Sequence, residues 1–250
     1  VHRSDGVKAA DAIEELLARR ITNRAPYRPE PVSPEAIARL AANAKGETGT
    51  ASSIALHVLT DDARIRAASE VVARHGDVDF THAAAWRETY AYVRWSERDA
   101  AEAEDGFPVT QLFGPMSVAR KLFMRATLAP SSMAVLRHFG VARRIAGELG
   151  ALVAGSPALV ALAFAAEDVS IAGQLAGGAA LLDLWLRATS EDLVMHPVSV
   201  VLQHDDIRQR LQKALGVPGR VFFHARLGHP AMAFPPAPRR RDPMAAVARL

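Results

Sequence analysis

The stretch LGALVAGSPALVALAFAA, Leu149 to Ala166, runs for 18 residues without a charge. Its reading decides the fold, because a charge-free run of that length approaches what a membrane-crossing helix needs. Gly155-Ser156-Pro157 interrupts it near the middle, and a proline inside a helix deletes one backbone hydrogen bond and clashes with the preceding turn. The stretch therefore reads as a helix end, a turn and a strand. The strand PALVALAF lacks the polar–apolar alternation of a half-exposed strand, which predicts burial on both faces. No membrane span is expected.

Working towards the C-terminus, Asp168 to Arg187 is rich in alanine and leucine and predicts a long helix with Gly177-Gly178 at its centre. HPVSVVLQ follows as a strand or turn-strand. DDIRQRLQKALG predicts a short helix, with Asp205-Asp206 as an N-cap pair and Gly216 just past its end. RVFFHARLG is the last predicted strand, and residues 229–250 form a proline-rich C-terminal arm.

Working towards the N-terminus, helical patterns cover Ser131 to Leu149 and Ser117 to Arg125. ERDAAEAEDGFPVTQLFGP, residues 97–115, reads as an irregular acidic insertion. Two charged helices are expected at Asp61 to His75 and Thr81 to Glu97. IALHVLT is an alternating strand, preceded by the flexible loop GETGTASS. Ser33, with Pro34 at the first helical position, opens the helix PEAIARLAANA. The first periodic segment is Ala9 to Arg20, which ends because the residue before Pro26 is pushed out of helical geometry. Helices outnumber strands and the strands are scattered among them. That pattern predicts an α+β fold, a single domain over residues 9–250 with a mixed central sheet flanked by helices.

Composition narrows the function classes. Of 250 residues, half are apolar, 23% charged and 6% aromatic, and the net charge is only +3. Nucleic-acid binding would need the basic residues gathered on one face, whereas here acidic blocks such as AEAED offset them. The chain has no cysteine, which excludes disulfides, thiolate metal ligands and cysteine nucleophiles. A reducing, cytoplasmic location is the expectation. The opening VHRSDGVKAADAIEELL lacks the apolar core of a signal peptide, and a start at Val1 leaves room for residues upstream.

The usual reactive motifs are missing. No GxGxxG follows a strand, and there is neither a GxxxxGK[ST] loop nor a GxSxG elbow. The nine histidines fall in no metal-ligand spacing, so no metal site is expected. No catalytic side chain stands out either. Any reaction must rest on chemistry carried by something bound.

Arginine supplies the positive evidence. In RRITNRAPY, Arg19 to Tyr27, Arg20, Thr22 and Arg24 alternate with one residue between each. In an extended segment leaving a helix, that alternation points the three side chains one way. Two guanidinium forks and a hydroxyl then suit a phosphate monoester, although arginines at a helix end also complement its dipole. A second cluster, Arg239, Arg240 and Arg241, sits behind the stiff spacer PPAP, which can carry a basic group across a surface at little entropic cost.

Taken in order, these segments resemble the nitroreductase-like flavoprotein family over about Ala12 to Val247. RRITNR…PV with SPEAIARLAANA is similar to the family's opening and its next helix. ALVALAF with AGQLAGGAALLDLWLRAT is similar to the central strand and long dimer-forming helix. HPVSV, IRQRLQKALGVPGRVFFHARLGHP and PRRRDP are similar to its closing strand, short helix, strand and basic tail. The resemblance implies FMN as cofactor, NAD(P)H as a reductant, and a homodimer with two flavin sites at the subunit interface. It assigns Arg20, Thr22 and Arg24 to the flavin and its phosphate. Pro197, Val198 and Ser199 would lie against the ring with backbone N–H groups facing it, and Arg239, Arg240 and Arg241 would grip the phosphate from the C-terminal arm.

The chain also departs from the pattern. GTASSIALHV stands where the family often carries N-x-Q-P-W, which weakens that contact to Ser52 and Ser53. TSEDLVMHP lacks the glycine usual before the HPVS-like segment. The middle, AWRETYAYVRWSE…EDGFPVTQLFGP, resembles a divergent branch that includes dormancy-associated mycobacterial proteins with altered substrate access. Trp86, Tyr90, Tyr92 and Trp95, expected on one helix, with Phe107 and Phe113, are candidates for a substrate wall or for core. The expected function is an FMN-dependent oxidoreductase passing hydride through flavin N5 in a ping-pong cycle to a small acceptor. The alternative is a flavin-holding or partner-binding protein on the same scaffold with little turnover.

Overall fold

A computed structural model describes residues 2–42, 54–103 and 105–234. The loop GETGTASS, with Ser52 and Ser53, and the arm from residue 235 onward, with Arg239, Arg240 and Arg241, lie outside the described residues.

The centre is a four-stranded sheet in the order β1-β4-β6-β5, formed by β1 (Ile54–Leu59), β4 (Ala158–Phe164), β6 (Arg220–Gly228) and β5 (Val194–Pro197). All three pairings are antiparallel. A parallel element is added at the β5 edge, where Thr22 bridges to Met195. Every residue of β4 is buried, and its side chains divide by parity. Ala158, Val160 and Leu162 pack on one face, against α2 (Pro34–Ala41) and α11 (Ile171–Ser190). Leu159, Ala161 and Ala163 pack on the other, against α3 (Asp62–His75), α10 (Val141–Ala154) and α12 (Asp205–Leu215). Helices on both faces are the reason the strand shows no alternation.

Local signals set the helix ends. Ser33 caps α2 by accepting from the Ala36 N–H at 3.1 Å, Ser170 caps α11 through Gly173 at 3.2 Å, and Gly216 closes α12 at φ +64°. The first helix, α1 (His2–Arg19), begins earlier than its periodicity indicates. At α12 the N-cap is His204, with no side-chain cap bond, and Asp205 instead pairs with Arg208 at 3.0 Å. In α11 the two central glycines differ. A Cβ on Gly177 would lie 2.7 Å from Phe164, so the helix crosses the sheet there, whereas Gly178 faces open space. No helix among the described residues is long and apolar enough to cross a membrane.

The middle of the chain departs most from expectation. Residues 97–115 are not irregular. They form α6 (Glu97–Glu102), β3 (Phe107–Pro108) and α7 (Val109–Phe113), and β3 pairs in parallel with β2 (Val93–Arg94). A reciprocal capping box between Ser96 and Asp99 starts α6, and an Arg94–Asp105 ion pair holds the turn that follows. The single helix expected over Thr81 to Glu97 is instead α4 (Val78–Thr81), α5 (Ala83–Ala91) and β2, so Trp95 lies beyond the helix that carries Trp86 and Tyr90. Trp86 and Trp95 are buried in a third apolar cluster with Val109, Leu128 and Met133. That cluster joins α5 and α7 to α8 (Val118–Leu128) and α9 (Pro130–Leu136). Gly140, at φ +79°, breaks the helical run between α9 and α10.

Candidate functional site

The segment Arg20 to Tyr27 leaves α1 and lies along the open edge of β5. Besides the Thr22–Met195 bridge, the Asn23 N–H donates to the Met195 carbonyl at 3.1 Å. On its other side the segment meets the residues that follow β6. Tyr27 bridges to Pro230, the Arg28 N–H donates to His229 O at 3.0 Å, and Asn23 Nδ2 donates to Met232 O at 2.8 Å. The RITNR and HPVS segments are thus neighbours. The described start of the C-terminal arm runs beside them.

Asn23 organises the turn. It is fully buried, its Oδ1 accepts from the Ala25 N–H at 3.0 Å, and its carbonyl accepts from the Tyr27 hydroxyl at 2.9 Å. The flanking arginines are half-buried and have separate seats. The Arg20 guanidinium stands 4.6 Å from the Trp185 ring centroid on α11. Arg24 Nη1 donates to the Gln111 carbonyl of α7 at 3.0 Å. Burial lowers the pKa of Arg24 from its ordinary value. A guanidinium is not deprotonated in proteins, so the cation persists, desolvated on one side.

In the HPVS segment, Pro197 is half-buried and Ser199 exposed. Val198 differs from the role the resemblance implies. Its side chain is buried in the core, and its N–H donates to His224 O at 2.9 Å. Proline has no N–H, so Ser199 is the remaining member of the trio that could offer one.

A buried arginine ties these segments together. Arg226, on β6, has no exposed surface. Its Nε donates to Ser156 Oγ at 2.9 Å, its Nη2 to Ala25 O at 2.7 Å, and its Nη1 to His196 Nδ1 at 3.2 Å. The guanidinium carbon lies 4.2 Å from the Tyr27 ring centroid. A guanidinium can only donate, so His196 accepts at Nδ1 and carries its proton on Nε2. Burial first, then the charges of Arg226 and Arg24, hold His196 well below the usual histidine range. Burial likewise lifts the Tyr27 hydroxyl far above its usual value. Both rings are neutral. Among the described residues, neither Arg24 nor Arg226 has a carboxylate partner.

The resemblance pointed to Arg20, Thr22 and Arg24, to Pro197, Val198 and Ser199, and to Arg239, Arg240 and Arg241, but not to Asn23, Tyr27, His196 or Arg226. One signal was available. Arg226 interrupts an apolar strand with a charge that requires a tertiary partner. No group of residues able to hold a metal ion occurs among the described residues.

The described residues form an α+β protein with helices on both faces of its sheet, and with Arg24, which has no described carboxylate partner, beside the β5 edge. Solved structures share the fold. They include the FMN-dependent nitroreductase NfnB from Mycobacterium smegmatis in complex with NADPH, with TM-score 0.55 and 17% identity over 97% of this chain and 99% of that one. An iodotyrosine deiodinase bound to FMN and 3-iodo-L-tyrosine has TM-score 0.54 and 14% identity, covering 92% and 96% of the two chains. No family profile matches the sequence. One relative, the "Probable NAD(P)H nitroreductase PigM" of a Serratia species, is 34% identical over 173 residues, which are 68% of this chain and 46% of the relative. The chain spans about half the length of that curated relative. In sequence over that stretch, and in fold over nearly its whole length, the chain is similar to nitroreductases.

Proposed function

We propose that the protein is an FMN-dependent oxidoreductase of the nitroreductase type, reduced by NAD(P)H or an organic substrate and reoxidised by a small acceptor in a ping-pong cycle. The observation that carries this reading is the Thr22–Met195 bridge. It sets the arginine-bearing RITNR segment beside HPVS, the two segments that the resemblance assigns to one flavin. The donor chemistry fits. A half-buried arginine without a described carboxylate favours an anionic head group, because an unbalanced desolvated cation gains most from a bound anion.

Arg20, Thr22 and Arg24 would hold the phosphate and the polar side of the flavin, with Ser199 offering its N–H. Arg239, Arg240 and Arg241 would add a grip from the arm. When bound, the flavin supplies the hydride acceptor and donor at N5. The chain supplies orientation, and its cations favour the negative charge that accompanies reduction. No side chain need act as a covalent catalyst.

The assembly we propose is a homodimer. Ile171 and Leu175 on α11 are 78% and 73% exposed, an apolar stripe better buried against a second copy than left in water. A cytoplasmic location belongs to the same reading.

The test is direct. Purified protein titrated with FMN should quench flavin fluorescence at one site per chain, and anaerobic NAD(P)H should bleach the bound flavin. Failure to bind FMN would sink the reading. Tight binding without any reoxidation by a panel of acceptors would leave a flavin-holding protein in its place.

A further inference from the structure

The buried arginine of β6 has a role that its distance from the surface conceals. A fully buried guanidinium costs several kcal/mol to desolvate, and here no described carboxylate offsets it. Its three bonds instead go to three different stretches of chain: Ala25 next to Arg24, His196 next to Pro197, and Ser156 at the end of α10. Ser156 is itself anchored, donating to Leu152 O at 2.7 Å. The fourth contact is the face of Tyr27, whose hydroxyl holds Asn23 O and so the turn that carries Arg24.

We propose that Arg226 is a positioning residue for the anion-binding edge: its planar fork sets the spacing between Arg24 and the Pro197–Ser199 segment. This inference rests on the flavin reading above. It goes beyond that reading in assigning part of the phosphate selectivity to a residue that touches no ligand. The geometry demands a fork. Lysine carries the same charge on a single flexible point and cannot serve three acceptors in one plane while stacking on an aromatic ring.

The experiment compares the affinity of the full chain for FMN and for riboflavin, which lacks the phosphate, by fluorescence quenching. The proteins are wild type, Arg226→Lys and Ser33→Ala, with a thermal melt of each. Wild type should prefer FMN. Arg226→Lys should lose roughly tenfold or more of that preference, the loss of about one well-placed charge-assisted hydrogen bond. Ser33→Ala, a distant helix-cap change, should melt lower yet keep the full preference. If Arg226→Lys melts lower but discriminates FMN from riboflavin as wild type does, Arg226 is only a core staple and the proposal fails. Should Arg226→Lys not fold, Ser156→Ala removes one prong alone. It should reduce the preference severalfold, and an unchanged preference there overturns the proposal equally. Wild type that binds neither flavin overturns the functional reading, and this inference with it. Wild type that binds FMN alongside variants of unaltered preference overturns the inference alone.

Discussion

Acidification should weaken this protein through His224, a residue far from any exposed surface. Its ring is fully buried on β6, with Nδ1 3.3 Å from Val160 O and no partner for Nε2 among the described residues. Burial pushes it down to about 4 from 6.5, against the opposing pull of the Val160 carbonyl. The folded pKa lies below the unfolded one, so between those values the unfolded chain binds more protons. Stability is therefore complete above about pH 6.5 and falls as the pH drops towards 4. At pH 5 the loss from His224 is about 2 kcal/mol, rising to about 3 kcal/mol once both states are protonated. Against a total of roughly 5–15 kcal/mol this is a large fraction. His196 is displaced in the same direction and adds to the effect.

Urea unfolding at pH 7 and pH 5 reads the difference directly. Wild type should lose at least about 2 kcal/mol between the two. His224→Leu, close in size and unable to titrate, should lose about 2 kcal/mol less over the same interval. The refuting result is a His224→Leu variant that loses as much as wild type on acidification, since the proton would then be taken up elsewhere.

Three further outcomes follow from packing and assembly. Gly150→Ala puts a Cβ 2.6 Å from Ala73 Cβ and 2.9 Å from Ser69 O, forcing α10 off α3; a loss of about 1–3 kcal/mol by urea melt is expected, and a neutral effect would contradict the tight crossing. Ser33→Ala removes the cap bond to Ala36 and should cost about 1 kcal/mol, measurable as a lower midpoint at unchanged slope. Leu175→Glu places a charge on the exposed stripe of α11, so sedimentation should show the proposed dimer giving way to monomer with unchanged helicity; a persistent dimer would place the interface elsewhere.

How much could be read without coordinates is clearest at β4 and in residues 97–115. PALVALAF was legible as a strand buried on both faces because periodicity is a local property of the chain. The same holds for the helix after it, for the GSP break, and for RVFFHARLG. The stretch 97–115 was not. Its acidic composition suggested an irregular loop, but Ser96, Asp99 and the Arg94–Asp105 pair order it through bonds between residues that composition does not connect. The aromatics of the middle segment were equally ambiguous. Trp86 and Trp95 are core, whereas Tyr92, Phe107 and Phe113 are substantially exposed.

The candidate site divides the same way. Its arginines and the HPVS segment were recognisable from residue order. Their contacts were not, because Arg24 with Gln111, Asn23 with Met232 and Arg226 with Ala25 join positions 87, 209 and 201 residues apart.

By itself the sequence determined the element types outside the middle segment, the doubly covered central strand and the arginines that the anion-site proposal uses, since periodicity, capping and charge are written in short range. Tertiary structure alone decided that Val198 turns its N–H inward, that Asn23 holds the turn, and that Arg226 binds three segments from within the core. Those outcomes depend on which polar groups lose water together, a property of the packed interior that linear spacing does not encode.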